Sequence, residues 1–173
     1  MMDLENTTDT RTGPSAHAAP ALVSALAARD GVERQCAREK LVSIGRPALS
    51  ALVKCLADPN RQVRWEAAKA LGELRDSAAA TALVRALEDK DGDVRWLAAS
   101  ALAAIGHEAL RPLLGALIQH SDSDWLRNGA HHVCHDLMNT SDGQLVKPVL
   151  DALNSSEPDI AAPVAAYAAL RAL

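Results

Sequence analysis

The sequence predicts an all-α solenoid, a right-handed α-α superhelix of about five stacked helix pairs. The first observation behind this is an internal repeat. The block from Asn60 to Leu74 returns from Asp91 to Ile105: Val63-Arg64-Trp65 reappears as Val94-Arg95-Trp96, and Ala67-Ala68-x-Ala70-Leu71 as Ala98-Ala99-x-Ala101-Leu102. A second is punctuation. Asp30, Asn60, Asp91 and Asp122 each stand just ahead of an apolar-periodic segment, where a side-chain oxygen accepts the orphan N–H groups of a helix's first turn. A third is composition. Hydrophobic residues make up 49% of the chain, yet aromatics only 2%, with no Phe. Ala and Leu carry the apolar content, which suits closely packed helices and not a β-sandwich.

Taken in order, residues 1–16 are polar and read as a disordered N-terminal tail, leaving residues 17–173 as the folded domain. Helices are expected near 17–28, 32–44, 47–57, 61–74, 77–88, 92–105, 108–119, 123–138, 143–153 and 158–172. Pro20, Pro112 and Pro148 open similar apolar runs, as in the first turn of a leading helix, where a missing N–H is harmless. The second helix of each of the first four pairs starts at one of the four caps. Gly45 and Gly106 close two of them, where a left-handed residue is needed. Within 61–74, Val63, Ala67, Ala70, Leu71 and Leu74 form one buried stripe, matched by Val94, Ala98, Ala101, Leu102 and Ile105. Trp65, Lys69 and Glu73 lie on a different face. The last helix is almost all Ala and apolar residues, with Pro163 inside it. It either caps the stack or leaves an apolar end open to a second copy, giving a homodimer.

Charge and cysteines narrow the function classes. The net charge of −4 supplies no global basic field for nucleic acid or an anionic membrane. Residues 1–14 lack the basic start and apolar run of a secretory signal, and no stretch approaches the roughly 20 apolar residues of a membrane span. Cys36, Cys55 and Cys134 are odd in number and widely spaced. They read as reduced, buried thiols of a cytoplasmic protein.

The pattern Leu-x-Asp, a short turn, then Val-Arg-x-x-Ala-Ala-x-Ala-Leu-Gly runs from Leu56 to Gly72 and, with Ala at its end, from Leu87 to Ala103. It resembles the short HEAT repeats of bacterial proteins and phycobilisome lyases. The resemblance extends loosely from about residue 18 to the C-terminus. It implies that the Val-Arg helix lines a concave face, and that Asp58 and Asp89 with Arg64 and Arg95 hydrogen-bond the turns between adjacent repeats. The fourth repeat departs from the pattern. Trp125-Leu126 stands where Val94-Arg95 stood, which makes Trp125 a core residue, and His120 replaces the Asp. The family spans scaffolds, lyases, hydroxylases and DNA-repair proteins. The histidines of its di-iron hydroxylases are absent here, since Trp65-Glu66 and Trp96-Leu97 occupy the corresponding places.

At this period the non-core positions of the second helices align in rows: Gln35, Trp65, Trp96, Arg127; Glu39, Lys69, Ser100, His131; and Cys36, Glu66, Leu97, Asn128. The two Trp residues either form a binding surface or pack between repeats. Trp with Arg is the composition of binding hot spots. The expected partner-binding residues are therefore Trp65, Trp96, Arg127, Lys69, Glu66, Ser100 and His131. His131 and His135 share one helix face at a spacing able to seat two metal ligands, but a third ligand is missing unless Glu108 or Asp142 supplies it. The expectation is no metal and no cofactor. The function expected is a non-catalytic scaffold that binds a protein or peptide, with no nucleic acid and no membrane. The alternative is a lyase, or lyase subunit, of the phycobilin-lyase type.

Overall fold

A computed structural model describes residues 19–173; the tail assigned to residues 1–16 and the start of the first expected helix lie outside the described residues. Ten α-helices follow one another among the described residues: α1 Ala19–Ala25, α2 Gly31–Ile44, α3 Leu49–Cys55, α4 Arg61–Leu74, α5 Ala80–Ala86, α6 Gly92–Ile105, α7 His107–Gln119, α8 Asp124–Leu137, α9 Gly143–Leu153 and α10 Pro158–Ala172. Short 3-10 turns at Arg46–Ala48 and Ser77–Ala79 lead into α3 and α5. Through α8, the even-numbered helices stack side by side in one layer and the odd-numbered ones back them. The architecture is an α-solenoid.

The even helices α2, α4, α6 and α8 are each 14 residues long. Asp30, Asn60 and Asp91 cap the first three through side-chain oxygens, accepting from Val32, Gln62 and Asp93. The fourth cap is a correction: Ser123, not Asp122, accepts the N–H of Leu126 at 3.2 Å. The loop before α8 is therefore one residue longer than the sequence spacing suggests. Leu41, Leu71, Leu102 and Cys134 then occupy equivalent positions, and all four are fully buried. Burial pushes the Cys134 thiol up to about 12, so it behaves as a small apolar core residue and not as a nucleophile. Cys55 is buried as well, whereas Cys36 is exposed on α2 and not buried as the sequence predicts.

Each of the first three even helices ends on a residue with positive φ, which swings the chain back to the other layer. Gly45 and Gly106 do this with φ of 73° and 79°. In the middle repeat Arg75 takes the same role in the left-handed region, at φ 51°, where a side chain is disfavoured. Pro112 and Pro148 are not in first turns. They lie inside α7 and α9, which begin a turn or more earlier.

At the end of α8 the device is absent, and the last pair is laid down differently. Met138 stays right-handed. Thr140 donates to the Leu137 carbonyl and accepts from the Asp142 N–H, forming a tight turn. Gly143 is required there, because a Cβ would come within 2.2 Å of the Met138 oxygen. As a result α9 packs against α8, and α10 packs against α7. The buried carboxylate of Asp142 bonds His107 Nδ1 at 2.6 Å, tying this turn to the start of α7. The C-terminal helix does cover the end of the stack with Ala162, Ala166 and Ala169, but from the odd layer.

Two stability measurements follow from this packing. Leu71→Ala or Leu102→Ala is expected to lower unfolding free energy in urea by about 2–5 kcal/mol, the cost of truncating a fully buried Leu. Arg75→Gly is expected to raise it by up to about 1 kcal/mol, by relieving the left-handed strain.

Candidate functional site

The longer fourth loop changes which residues share a row. Counting from the caps, Trp65 and Trp96 are followed in α8 by Asn128, not Arg127. Lys69 and Ser100 are followed by His132, not His131. The structure agrees with this register, because the Trp96 and His132 rings lie 6.1 Å apart. His131 instead places Nε2 3.1 Å from Asn154 Oδ1, beyond the end of α9. Trp125 is also corrected. It is 46% exposed and not a core residue, while Leu126 takes the buried place of Val94.

Arg127 falls in register with Arg34, Arg64 and Arg95, each four positions after its cap. These arginines form a ladder with one repeated task. Arg34 Nη1 donates to the Ala28 and Arg29 carbonyls at 2.8 and 3.0 Å. Arg64 Nη1 reaches the Asp58 and Pro59 carbonyls at 3.0 and 3.2 Å. Arg95 Nη1 bonds the Asp89 carbonyl at 2.7 Å, and Arg127 bonds the Ser121 carbonyl and the Asp124 carboxylate. The charged side chain thus satisfies the loop carbonyls before its own helix. Arg64 also crosses to the next repeat, giving Asp89 a two-pronged bond at 2.7 and 3.0 Å. That bond raises the Arg64 pKa from its ordinary value, against the opposing effect of burial. Arg95 finds no such carboxylate among the described residues; its guanidinium lies over the Trp125 ring, 4.6 Å from the centroid.

Glu66 is likewise spent inside the protein. At 3% exposure it accepts from Arg38 at 2.6 Å and Arg34 at 3.4 Å, while Arg38 also bonds Glu73 at 3.2 Å. This buried network joins α2 to α4. No sequence pattern announced it, although Arg34 and Arg38 sit one helical turn apart on α2 and Glu66 and Glu73 two turns apart on α4.

Open to solvent beside these residues is a cleft of about 480 Å³ between α4 and α6. Ala68, Gly72, Leu97, Ala101 and Ala104 give it an apolar lining, and Trp96, 60% exposed, stands at its side. Lys69, Ser100, Glu73 and Arg75 complete the lining. The Lys69 ammonium rests 5.1 Å from the centre of the Trp65 ring, and neither Lys69 nor Arg75 has a carboxylate partner among the described residues. A second, more polar cleft of about 370 Å³ lies between α2 and α4, holding Trp65 with Gln35, Gln62 and Arg61. Lys69 borders both clefts. Trp65 and Trp96 therefore serve adjoining pockets and not one continuous aromatic strip.

The histidines of α8 are dispersed in role. His131 and His135 stack at 6.4 Å, His132 lies 3.3 Å from Asp136, and Asp142 is held by His107. Among the described residues, no group of three or more His, Cys, Asp and Glu side chains is placed to hold a metal ion. No helix among them is long and apolar enough to cross a membrane.

A family model described as HEAT repeats matches residues 19–96 and 49–134 of the chain. Among solved structures, the crystal structure of an engineered protein aligns at 21% identity over 87% of this chain and 77% of its own, with a TM-score of 0.46. A designed armadillo repeat protein aligns at 26% identity over 88% of this chain and 82% of its own, with a TM-score of 0.42. No curated protein matches.

The ladder makes a graded stability prediction. Arg64→Met leaves the Asp89 carboxylate without its cation and is expected to cost about 3 kcal/mol. Arg95→Met gives up a carbonyl bond and an exposed ring contact, and is expected to cost about 1 kcal/mol. Paired chemical-denaturation curves check the order.

Proposed function

The chain belongs to the HEAT-repeat family, and on that premise we propose that it is a non-catalytic interaction module that binds a peptide segment of a partner protein. The observation that carries this reading is Trp96. A large aromatic side chain left 60% exposed beside an apolar cleft is the residue type that dominates binding energy where it can be covered. We place the bound segment along the face formed by α4 and α6, which we take as the concave side, with an apolar side chain seated over Ala68, Gly72 and Ala101.

Charge selects the segment. Lys69 and Arg75 border the cleft without carboxylate partners among the described residues, and Glu73 is already engaged by Arg38. An acidic residue next to the apolar anchor would meet those cations, which favours acidic over basic segments. Ser100 and His132 offer hydrogen-bonding groups farther along. Arg127 and Glu66 act in this reading as supports for the surface and not as contacts. The reading sets the module in the cytoplasm, where Cys36, Cys55 and Cys134 stay free thiols, as they are here.

Peptide display panned against the purified chain tests the proposal. The selected segments are expected to carry an apolar residue beside Asp or Glu. Trp96→Ala is expected to weaken the best of them by at least about tenfold, or about 1.4 kcal/mol, without moving the thermal midpoint. Lys69→Glu is expected to weaken acidic peptides selectively. Selection of no peptide, together with uptake of a bilin chromophore, would favour the lyase alternative.

A further inference from the structure

We propose that the outer face of α10 is a self-association surface on which two copies of this chain pair antiparallel. The surface is separate from the α4–α6 cleft and does not depend on what that cleft binds. On α10, Ala162, Ala166 and Ala169 face inward. The opposite face exposes Ile160 at 62%, Val164 at 69% and Tyr167 at 57%, half of the large exposed apolar side chains of the described chain. With Glu157 before them and Arg171 after them, both exposed, they are spaced in alternating steps of three and four residues. That spacing is the seam of a two-helix coiled coil.

The seam is complementary to itself in one direction only. An antiparallel copy with its twofold axis at Val164 brings the two Val164 side chains together. Ile160 then lies within one residue's rise, about 1.5 Å, of the level of Tyr167 of the second copy, and Glu157 at the level of Arg171 of the second copy. The apolar layers close between two pairs of opposite charges. A parallel copy would set Glu157 against Glu157 and Arg171 against Arg171. Such a pair is isologous and closes as a dimer, with no unpaired seam left to build a filament. Two helices of about four turns bury less than the roughly 800 Å² per partner of a standard stable interface, so the dimer is reversible and grows with concentration.

Sedimentation equilibrium on the full chain, from low micromolar to near-millimolar concentration, tests this. The wild type is expected to shift from monomer to dimer and no further. Val164→Glu, which places two carboxylates on the twofold axis, is expected to remain monomeric while melting normally, since Val164 is solvent-exposed. Glu157→Arg alone and Arg171→Glu alone are each expected to weaken the dimer about tenfold, and the two together to restore it. Glu157 makes no side-chain capping bond, so its reversal removes no cap. A wild type that stays monomeric throughout overturns the proposal, as does a dimer that survives Val164→Glu. Dimerisation indifferent to the single charge reversals overturns the antiparallel register.

Discussion

A two-helix unit cannot bury both of its faces, so each repeat is stable only while the next lies against it in one register. Here that register is held by the arginine four positions after each helix cap. Its guanidinium satisfies the carbonyls of the turn it has just left, and at Arg64 it also captures Asp89 of the following repeat. The same side chain therefore closes one turn and positions the next. An arginine is suited to this because its planar fork offers several donors in fixed geometry, where a lysine offers a point charge. Everything on the exposed side of the even helices, including the placing of Trp65 and Trp96, inherits its spacing from this ladder.

The ladder also changes along the stack. Among the described residues Arg95 has no carboxylate partner and lies on Trp125 instead, and Arg127 closes its own turn. After α8 no positive-φ residue sends the chain across, so α9 folds back along α8 and α10 covers α7. The alanine face of α10 seals the core at this end. Because that face is narrow, the opposite side of the helix keeps its Ile, Val and Tyr in solvent.

The fold was legible because the features that define it are local and periodic. Caps, the alanine-leucine stripe and the turn glycines recur at a fixed interval, and α4, α6, α9 and α10 lie where their sequence signals place them. The fourth repeat misled because Ser121-Asp122-Ser123-Asp124 offers several cap residues in a row. The interval from cap to arginine, constant at Asp30–Arg34, Asn60–Arg64 and Asp91–Arg95, selects Ser123 through Arg127 and would have restored the register. Burial was harder to read. Glu66 and Trp65 are neighbours on one helix, yet one is enclosed by Arg34 and Arg38 from α2 while the other lies beside a cleft. Such differences depend on long-range partners that no local pattern encodes. The reversed placing of the last pair depends likewise on Met138, Thr140 and Gly143 acting together, each unremarkable alone.

The central claim is that the repeat register serves to expose one apolar cleft beside Trp96 for a partner's segment. Amide chemical-shift mapping with a peptide selected against the chain tests it most directly. The account predicts perturbations concentrated at Lys69, Gly72, Trp96, Ser100 and Ala104, with α3, α5 and α7 silent. Perturbations confined to the odd-numbered layer, with the Trp96 indole N–H unmoved, would contradict it.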